Sequence, residues 1–253
     1  MSLRTHVADR IAEVVLDHPP VNAFDSAGWF KIAETITALG KDPAVSVVLL
    51  AADGRGFCAG VDIKELARDS RLITQVNKGC YDSFAAIHDC PVPVIAAAHG
   101  FVLGGGIGLV GSCDVILASD DATFGLPEID RGALGAASHL LRMFPIQKVR
   151  RMLYTGEPIT AAEAYRLGAV ESVVPRADLR ATARALAAKI ASKSPRALRL
   201  AKESLNGIEL LDVKKSYRFE QGFTLELYTS PDSQEARNAF VEKRDASFTD
   251  KAT

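Results

Sequence analysis

The chain has 253 residues, 48% of them hydrophobic and 24% charged, enough for one large globular domain or two small ones around a sizeable core. Thirty Lys and Arg against 31 Asp and Glu leave a formal charge of −1, so no overall basic field recruits nucleic acid or an anionic membrane surface. Cys58, Cys80, Cys90 and Cys113 form no C-x-x-C pair and have no histidine at ligand spacing, which argues against a disulfide framework and a metal site and for buried, reduced thiols in a cytoplasmic protein. The N-terminus lacks a signal-peptide core, and no apolar run approaches the roughly 18 residues of a membrane span.

In chain order, residues 5–17 alternate polar and apolar and predict a hairpin or a pair of short strands. "HPPVNAFDS" breaks that pattern, and Asp25 or Ser26 is placed to cap a helix through "AGWFKIAETITALGKD". "VSVVLLAA", 46–52, is continuously apolar and predicts a strand buried on both faces. A helix around 70–89 precedes a second such run, 92–100, and a third, 114–119, follows a glycine-rich segment. Strands alternating with helices predict an α/β fold with a parallel sheet. Beyond Thr160 amphipathic helices dominate, so the chain divides into an α/β core, 1–175, and a helical C-terminal region, 176–253, packed on that core or on a neighbouring subunit.

The glycine segment "FVLGGGIGLVGSCD" contains Gly106, Gly108 and Gly111 in dinucleotide-loop spacing. A dinucleotide fold also needs a crossover helix of about ten residues and an acid about 20 residues on. Only Ser112 and Cys113 separate Gly111 from the next strand, so that reading fails. The glycines instead predict a tight turn at 104–106 that opens a short helix, 105–112, whose first amides lack internal partners and carry the positive dipole end. A second glycine turn follows the strand at 46–52, in "ADGRGFCAGVDIKEL", where Gly60 precedes the amides of Val61 and Asp62. Two strand-end turns of one parallel sheet can aim two N–H groups at one point, an oxyanion hole. Either turn alone would read as an ordinary strand-to-helix connection.

Taken together, "GRGFCAGVDIKEL", "PVIAAAHGFVLGGGIGL", "CDVILASDDATFGLPEIDRGALG" and "FVEKRDASF" resemble the crotonase, or enoyl-CoA hydratase/isomerase, superfamily. The resemblance covers nearly the whole chain. It implies a ββα spiral core, C-terminal helices that mediate trimerisation, and a homotrimer or homohexamer. It implies an acyl-CoA substrate that carries its own coenzyme A, with no further cofactor, and a thioester enolate held by the Val61 and Gly105 amides. By the same resemblance Val61, Asp62, Ile63 and Lys64, with Asn22 and Ala23, line the nucleotide and pantetheine groove, and Phe240 and Lys243 reach coenzyme A from the C-terminal helix. Without the resemblance Lys243 would be read as part of a solvated helix face.

Hydratases of this family carry two glutamates. The second corresponds to Glu128, which could otherwise be a first-turn acid beside Pro127. The first corresponds to Gly108, and its replacement predicts a vacancy beside the acyl group. Within the superfamily "WF", the stretch from "GGGIGL" to "GALGAASHL" and "YRFEQGFTLEL" most resemble the branch that hydrolyses a ring carbon–carbon bond of a bicyclic keto-acyl-CoA in steroid catabolism. That reaction implies a base, Glu128, and a group that polarises the ketone, with Asp130, Arg131 and His139 nearby in sequence and Tyr217 and Glu220 as C-terminal candidates. His139 could equally be a satisfied helix histidine. The rival readings are a 2-enoyl-CoA hydratase or double-bond isomerase, and a non-catalytic CoA-ester-binding protein.

Overall fold

The structure is a computed structural model that describes residues 2–63, 65, 69–131, 133, 135–209 and 230–248. The expected hairpin is β1, Ser2–Ala8, paired antiparallel with β2, Ile11–Asp17. β3, Ala23–Phe24, leads into α1, Ser26–Lys41, where Asp25 is the cap and accepts from Gly28 N at 2.7 Å. Then come β4 (Val47–Ala52), β5 (Gly60–Val61), α2 (Ile73–His88), β6 (Val94–Ala98), β7 (Phe101–Leu103) and α3 (Gly105–Ser112). β8 (Val115–Ser119), β9 (Thr123–Gly125) and a 3-10 turn at Pro127–Arg131 follow. The remaining elements are α4 (Ala137–Met143), α5 (Ile146–Thr155), β10 (Ile159–Thr160), α6 (Ala161–Arg166), β11 (Ser172–Val174), α7 (Leu179–Ala191), α8 (Pro195–Ile208) and α9 (Pro231–Glu242).

The long strands form one sheet in the order β1-β2-β4-β6-β8-β11, parallel after the first pair. Each of β4, β6 and β8 is followed by a short strand of a second layer, β5, β7 and β9, before the chain turns helical. In that layer β7 runs parallel to β9, β3 runs parallel to β5, and a Cys58–Val102 bridge joins the two groups. The fold is therefore a spiral of strand–strand–helix turns. Its consequence for function is direct, because successive turns place the ends of β5, β7 and β9 side by side.

Side-chain alternation along β4 fills both faces of the long sheet. Val48, Leu50 and Ala52 join the core beneath α1 and α2, while Val47, Leu49 and Ala51 pack with Ile95, Ala97 and Leu117 on the other face. That second face is covered by α7, whose Leu179, Ala183, Ala187 and Ala191 recur every four residues as one stripe. Small residues at this period let the helix lie close to the sheet. Glu13, 6% exposed on β2, is enclosed by Arg180 and Arg184 of α7.

The C-terminal helices are tied down by polar anchors. Lys202 of α8, 4% exposed, donates to Asp114 Oδ2 at 2.7 Å, to Ile87 O at 3.1 Å and to Val92 O at 3.3 Å. Ser194 caps α8, accepting from Ala197 N at 3.1 Å, and donates to buried Asp232 of α9. Among the described residues no helix is long and apolar enough to cross a membrane. Cys58, Cys90 and Cys113 are buried free thiols, but Cys80 on α2 is only partly buried, which corrects the expectation for that residue.

Lys202→Ala removes a buried ammonium shared by Asp114 and two carbonyls, while Val94 N still donates to Asp114 at 2.6 Å, so it is expected to cost about 1–3 kcal/mol in urea unfolding. Arg151→Ala, which breaks the exposed pair with Glu157, is expected to stay within about 1 kcal/mol of the parent.

Candidate active site

The site starts with backbone. After β4 the chain runs alongside the β6–β7 turn, with Phe57 N donating to His99 O at 2.8 Å, Cys58 N to Phe101 O at 3.2 Å and Leu103 N to Cys58 O at 2.9 Å. This ladder brings the two predicted glycine turns together. At Gly60, φ is +91°, and an added Cβ would lie 3.0 Å from Gly105 N and 3.1 Å from Leu103 O. Only glycine allows both the left-handed backbone and this approach.

The two amides expected after Gly60 have different fates. Asp62 N donates to Phe24 O at 2.8 Å, so its proton is spent inside the β3–β5 pair, and the expectation that it joins Val61 at a helix start is corrected. Neighbouring amides of an extended segment point to opposite edges, which turns the Val61 N–H away from β3, and the adjacent Gly60 packs on the Gly104–Gly105 turn. Gly105 opens α3, where a first-turn N–H has no intrahelical acceptor. Gly104 holds φ +57°, and its own amide donates to Gly125 O at 3.1 Å, fixing the turn to β9.

β9 continues into the 3-10 turn that carries Glu128. Its carboxylate sits between two glycines: an added Cβ would lie 2.5 Å from Oε1 at Gly104 and 2.5 Å from Oε1 at Gly135. The three successive turns thus place Gly60 against Gly105 and the Glu128 carboxylate against Gly104. Asp130 goes elsewhere. It is exposed, with Oδ2 2.6 Å from an added Cβ at Gly156, beyond the end of α5.

Position 108 overturns an expectation. Gly108 is buried, and a Cβ there would fall within the ring of Phe84, which reaches across from α2. The predicted vacancy is filled by an aromatic side chain. Phe84 stacks edge-to-face on Trp29, with centroids 5.8 Å apart at 83°, and on His139, 4.8 Å apart at 67°. Trp29 is fully buried, and its Cη2 and Cζ2 would be 2.7 Å from a Cβ at Gly105.

His139 packs on both Phe84 and α3, with its Cβ 2.8 Å from an added Cβ at Gly111. Its Nδ1 is buried and has no hydrogen-bond partner among the described residues. Burial, with the nearby cationic groups of Arg142 and His88, holds its imidazole below the usual histidine range. Trp29 entered the sequence reading only through the "WF" resemblance and Phe84 not at all; the packing of α1 and α2 on α3 shows what both do.

The groove residues separate in the same way. Asn22 is 2% exposed and spends its side chain internally: Oδ1 accepts from His18 N at 2.7 Å, and Nδ2 donates to Asp53 O at 2.8 Å and Gly56 O at 3.0 Å. It shapes the loop before Gly60 and offers no free amide to a ligand, which corrects its expected lining role. Ala23 pairs with Gly60 in the short sheet, and Ile63 is 56% exposed. Glu65 was not foreseen; it accepts from Ser26 N at 3.0 Å and Ser26 Oγ at 2.9 Å, tying this segment to the start of α1. Lys64, Tyr217, Glu220 and the side chains of Arg131 and Phe240 lie outside the described residues. Lys243 is exposed after α9, a helix whose described anchor is Ser194 rather than either glycine turn.

Backbone donors on neighbouring spiral turns, with the Glu128 carboxylate beside them, are an arrangement that can stabilise a developing oxyanion and move a proton nearby. The chain belongs to the enoyl-CoA hydratase/isomerase family, which it matches over residues 6–251. A (7aS)-7a-methyl-1,5-dioxo-2,3,5,6,7,7a-hexahydro-1H-indene-carboxyl-CoA hydrolase of Rhodococcus jostii (strain RHA1) is 54% identical over 236 residues, 92% of each chain. The hydrolase of the same name from Mycobacterium tuberculosis is 50% identical over 92% of this chain and 95% of its own. A crystal structure of enoyl-CoA hydratase from Bacillus anthracis superposes with a TM-score of 0.94 at 30% identity, covering 100% of both chains.

Gly104→Ala would strain a left-handed position and press on the Glu128 carboxylate, so stability is expected to fall by about 1–3 kcal/mol, read by thermal unfolding. His139 yields a pH prediction. A histidine with a lowered folded pKa adds no pH dependence above its ordinary value of about 6.5; below it the unfolded chain takes the proton first and stability falls. His139→Leu is expected to lose less stability than the parent between about pH 7.5 and pH 5.5, read as urea midpoints.

Proposed function

We propose that the protein hydrolyses a ring carbon–carbon bond of a bicyclic diketo-acyl-CoA, a step in steroid ring catabolism, through a thioester enolate held by the Val61 and Gly105 amides. The observation that carries this reading is the Glu128 carboxylate beside the Gly104–Gly105 turn, in a chain that matches the two indene-carboxyl-CoA hydrolases along nine-tenths of its length.

The proton count explains why one carboxylate suffices. Glu128 takes a proton from water as its oxygen bonds to the ring ketone carbon. The bond from that carbon to its ring neighbour then breaks, and its electron pair is delocalised onto the thioester oxygen between the Val61 and Gly105 N–H groups. Glu128 returns the proton to the carbanion, and the former ketone carbon becomes a carboxylic acid. Water is thus divided between the two carbons by one acid–base group. Hydration of an alkene in this family uses two, and here the position of the first is Gly108, closed by Phe84.

Several further features complete the reading. Coenzyme A arrives as part of the substrate, and the reaction as written consumes only water. Val61, Asp62 and Ile63, with the backbone at Ala23, are assigned to the pantetheine groove, a reading supported by the exposure of Ile63. Phe240 and Lys243 meet coenzyme A across a subunit boundary in a cytoplasmic homotrimer or homohexamer, a reading supported by the exposure of Lys243.

Purified protein is expected to open the bicyclic diketo-acyl-CoA in 18O-water with one 18O in the new carboxylate, and to leave crotonyl-CoA and a 3-enoyl-CoA nearly unreacted. Glu128→Gln is expected to lower kcat by about 10²–10⁴-fold. Fast hydration of crotonyl-CoA without ring opening would reverse the assignment.

A further inference from the structure

We propose that Phe84 determines the acyl specificity of this site: its ring closes position 108 and, with Trp29 behind it, forms an apolar wall beside the Gly105 donor that accepts a flat fused-ring acyl group in preference to a linear one.

Position 108 lies three residues after Gly105, so the two share a helix face, and a side chain at 108 would stand next to the oxyanion donor. The space is taken by Phe84, whose Cζ, Cε1 and Cε2 are the nearest atoms to a Cβ built at Gly108. Phe84 is not free to swing away. The preceding residue, Ser83, is fully buried with Oγ 2.7 Å from Trp29 O and 2.8 Å from Gly79 O, and an added Cβ at Gly79 would lie 2.8 Å from Trp29 Cβ. These contacts fix α2 against α1 and aim the ring at α3.

The rest of the wall is equally constrained. Trp29 donates from Nε1 to Phe24 O at 3.1 Å and meets the Phe24 ring edge-to-face at 5.5 Å, while Phe84 is held between Trp29 and His139. Trp29 is fully buried, whereas Phe84 is only partly buried. An uncharged ring system laid on it removes apolar surface from water over an area that a short straight chain covers incompletely. The same wall keeps a second carboxylate off this face and lowers the local dielectric around the enolate, which strengthens the amide hydrogen bonds to it.

The proposal rests on the ring-opening reading for its substrate, whereas the exclusion between positions 84 and 108 stands independently of that reading. The test is a cycle of Phe84→Ala, Gly108→Glu and the double variant in the full chain, with Phe84→Leu retaining apolar bulk without the ring. Each is assayed for kcat/KM on the bicyclic diketo-acyl-CoA and on crotonyl-CoA, and for melting temperature. Phe84→Ala and Phe84→Leu are expected to lower kcat/KM for the bicyclic ester about tenfold or more, and that for crotonyl-CoA by far less. Gly108→Glu alone is expected to lower the melting temperature, and adding Phe84→Ala to restore it and raise crotonyl-CoA hydration about tenfold or more over wild type.

Equal losses on both esters in Phe84→Leu, or a Gly108→Glu variant that melts like wild type with Phe84 in place, would overturn the proposal. If wild type fails to open the bicyclic ester, the proposed function falls, and the melting temperatures and crotonyl-CoA rates of the cycle still decide whether Phe84 excludes a carboxylate at 108.

Discussion

The approach of the Gly60 and Gly105 backbones, close enough that a Cβ on Gly60 would stand 3.0 Å from Gly105 N, is the contact on which the site depends. It joins two turns of the spiral that are more than 40 residues apart in sequence, and it does so through atoms that every residue carries. A hole built from main-chain amides cannot be repaired by a different side chain. It can only be built by positioning strands, and this is what the Phe57–His99, Cys58–Phe101 and Leu103–Cys58 hydrogen bonds accomplish. A preorganised donor pair of this kind is worth the most in enzymes that develop charge on oxygen, where losing one donor costs about 10²–10³ in rate.

The carboxylate is positioned by the same means. Gly104 N binds Gly125 O, so the turn that presents Gly105 also fixes the strand that leads to Glu128, and Gly104 and Gly135 together leave room for the carboxyl group. A side chain at either glycine would displace it. Glu128 and the Gly105 amide are therefore coupled through backbone, so on the proposed reaction the acid–base group and an oxyanion donor move together.

Features with a local cause were legible in the sequence. The hairpin, the Asp25 cap, the strand at β4 and the helix at 105–112 each follow from alternation, a capping side chain or a glycine run within a dozen residues. The two glycine turns were legible as candidates because each ends a strand. What remained hidden has a common physical origin: its partner lies on a distant element. Asp62 reads as a second donor until β3 supplies Phe24 O, and Asn22 reads as a groove residue until the loop at 53–56 consumes both amide hydrogens. Gly108 reads as a vacancy until α2 lays Phe84 into it.

That last contact shows how a specificity change can be distributed over residues that never touch the reacting atoms. Gly79 permits α2 to approach the Trp29 backbone, Ser83 bonds to it, and Phe84, one residue further on, acquires a fixed direction. Trp29 in turn supports Gly105, so the oxyanion donor and the wall share one buried indole. A glycine at 108 is meaningful only with an aromatic ring at 84, and a carboxylate at 108 only with a smaller residue there. Stability and chemistry thus constrain the pair together, because filling position 108 without clearing position 84 overpacks a buried interface before it can add a catalytic group.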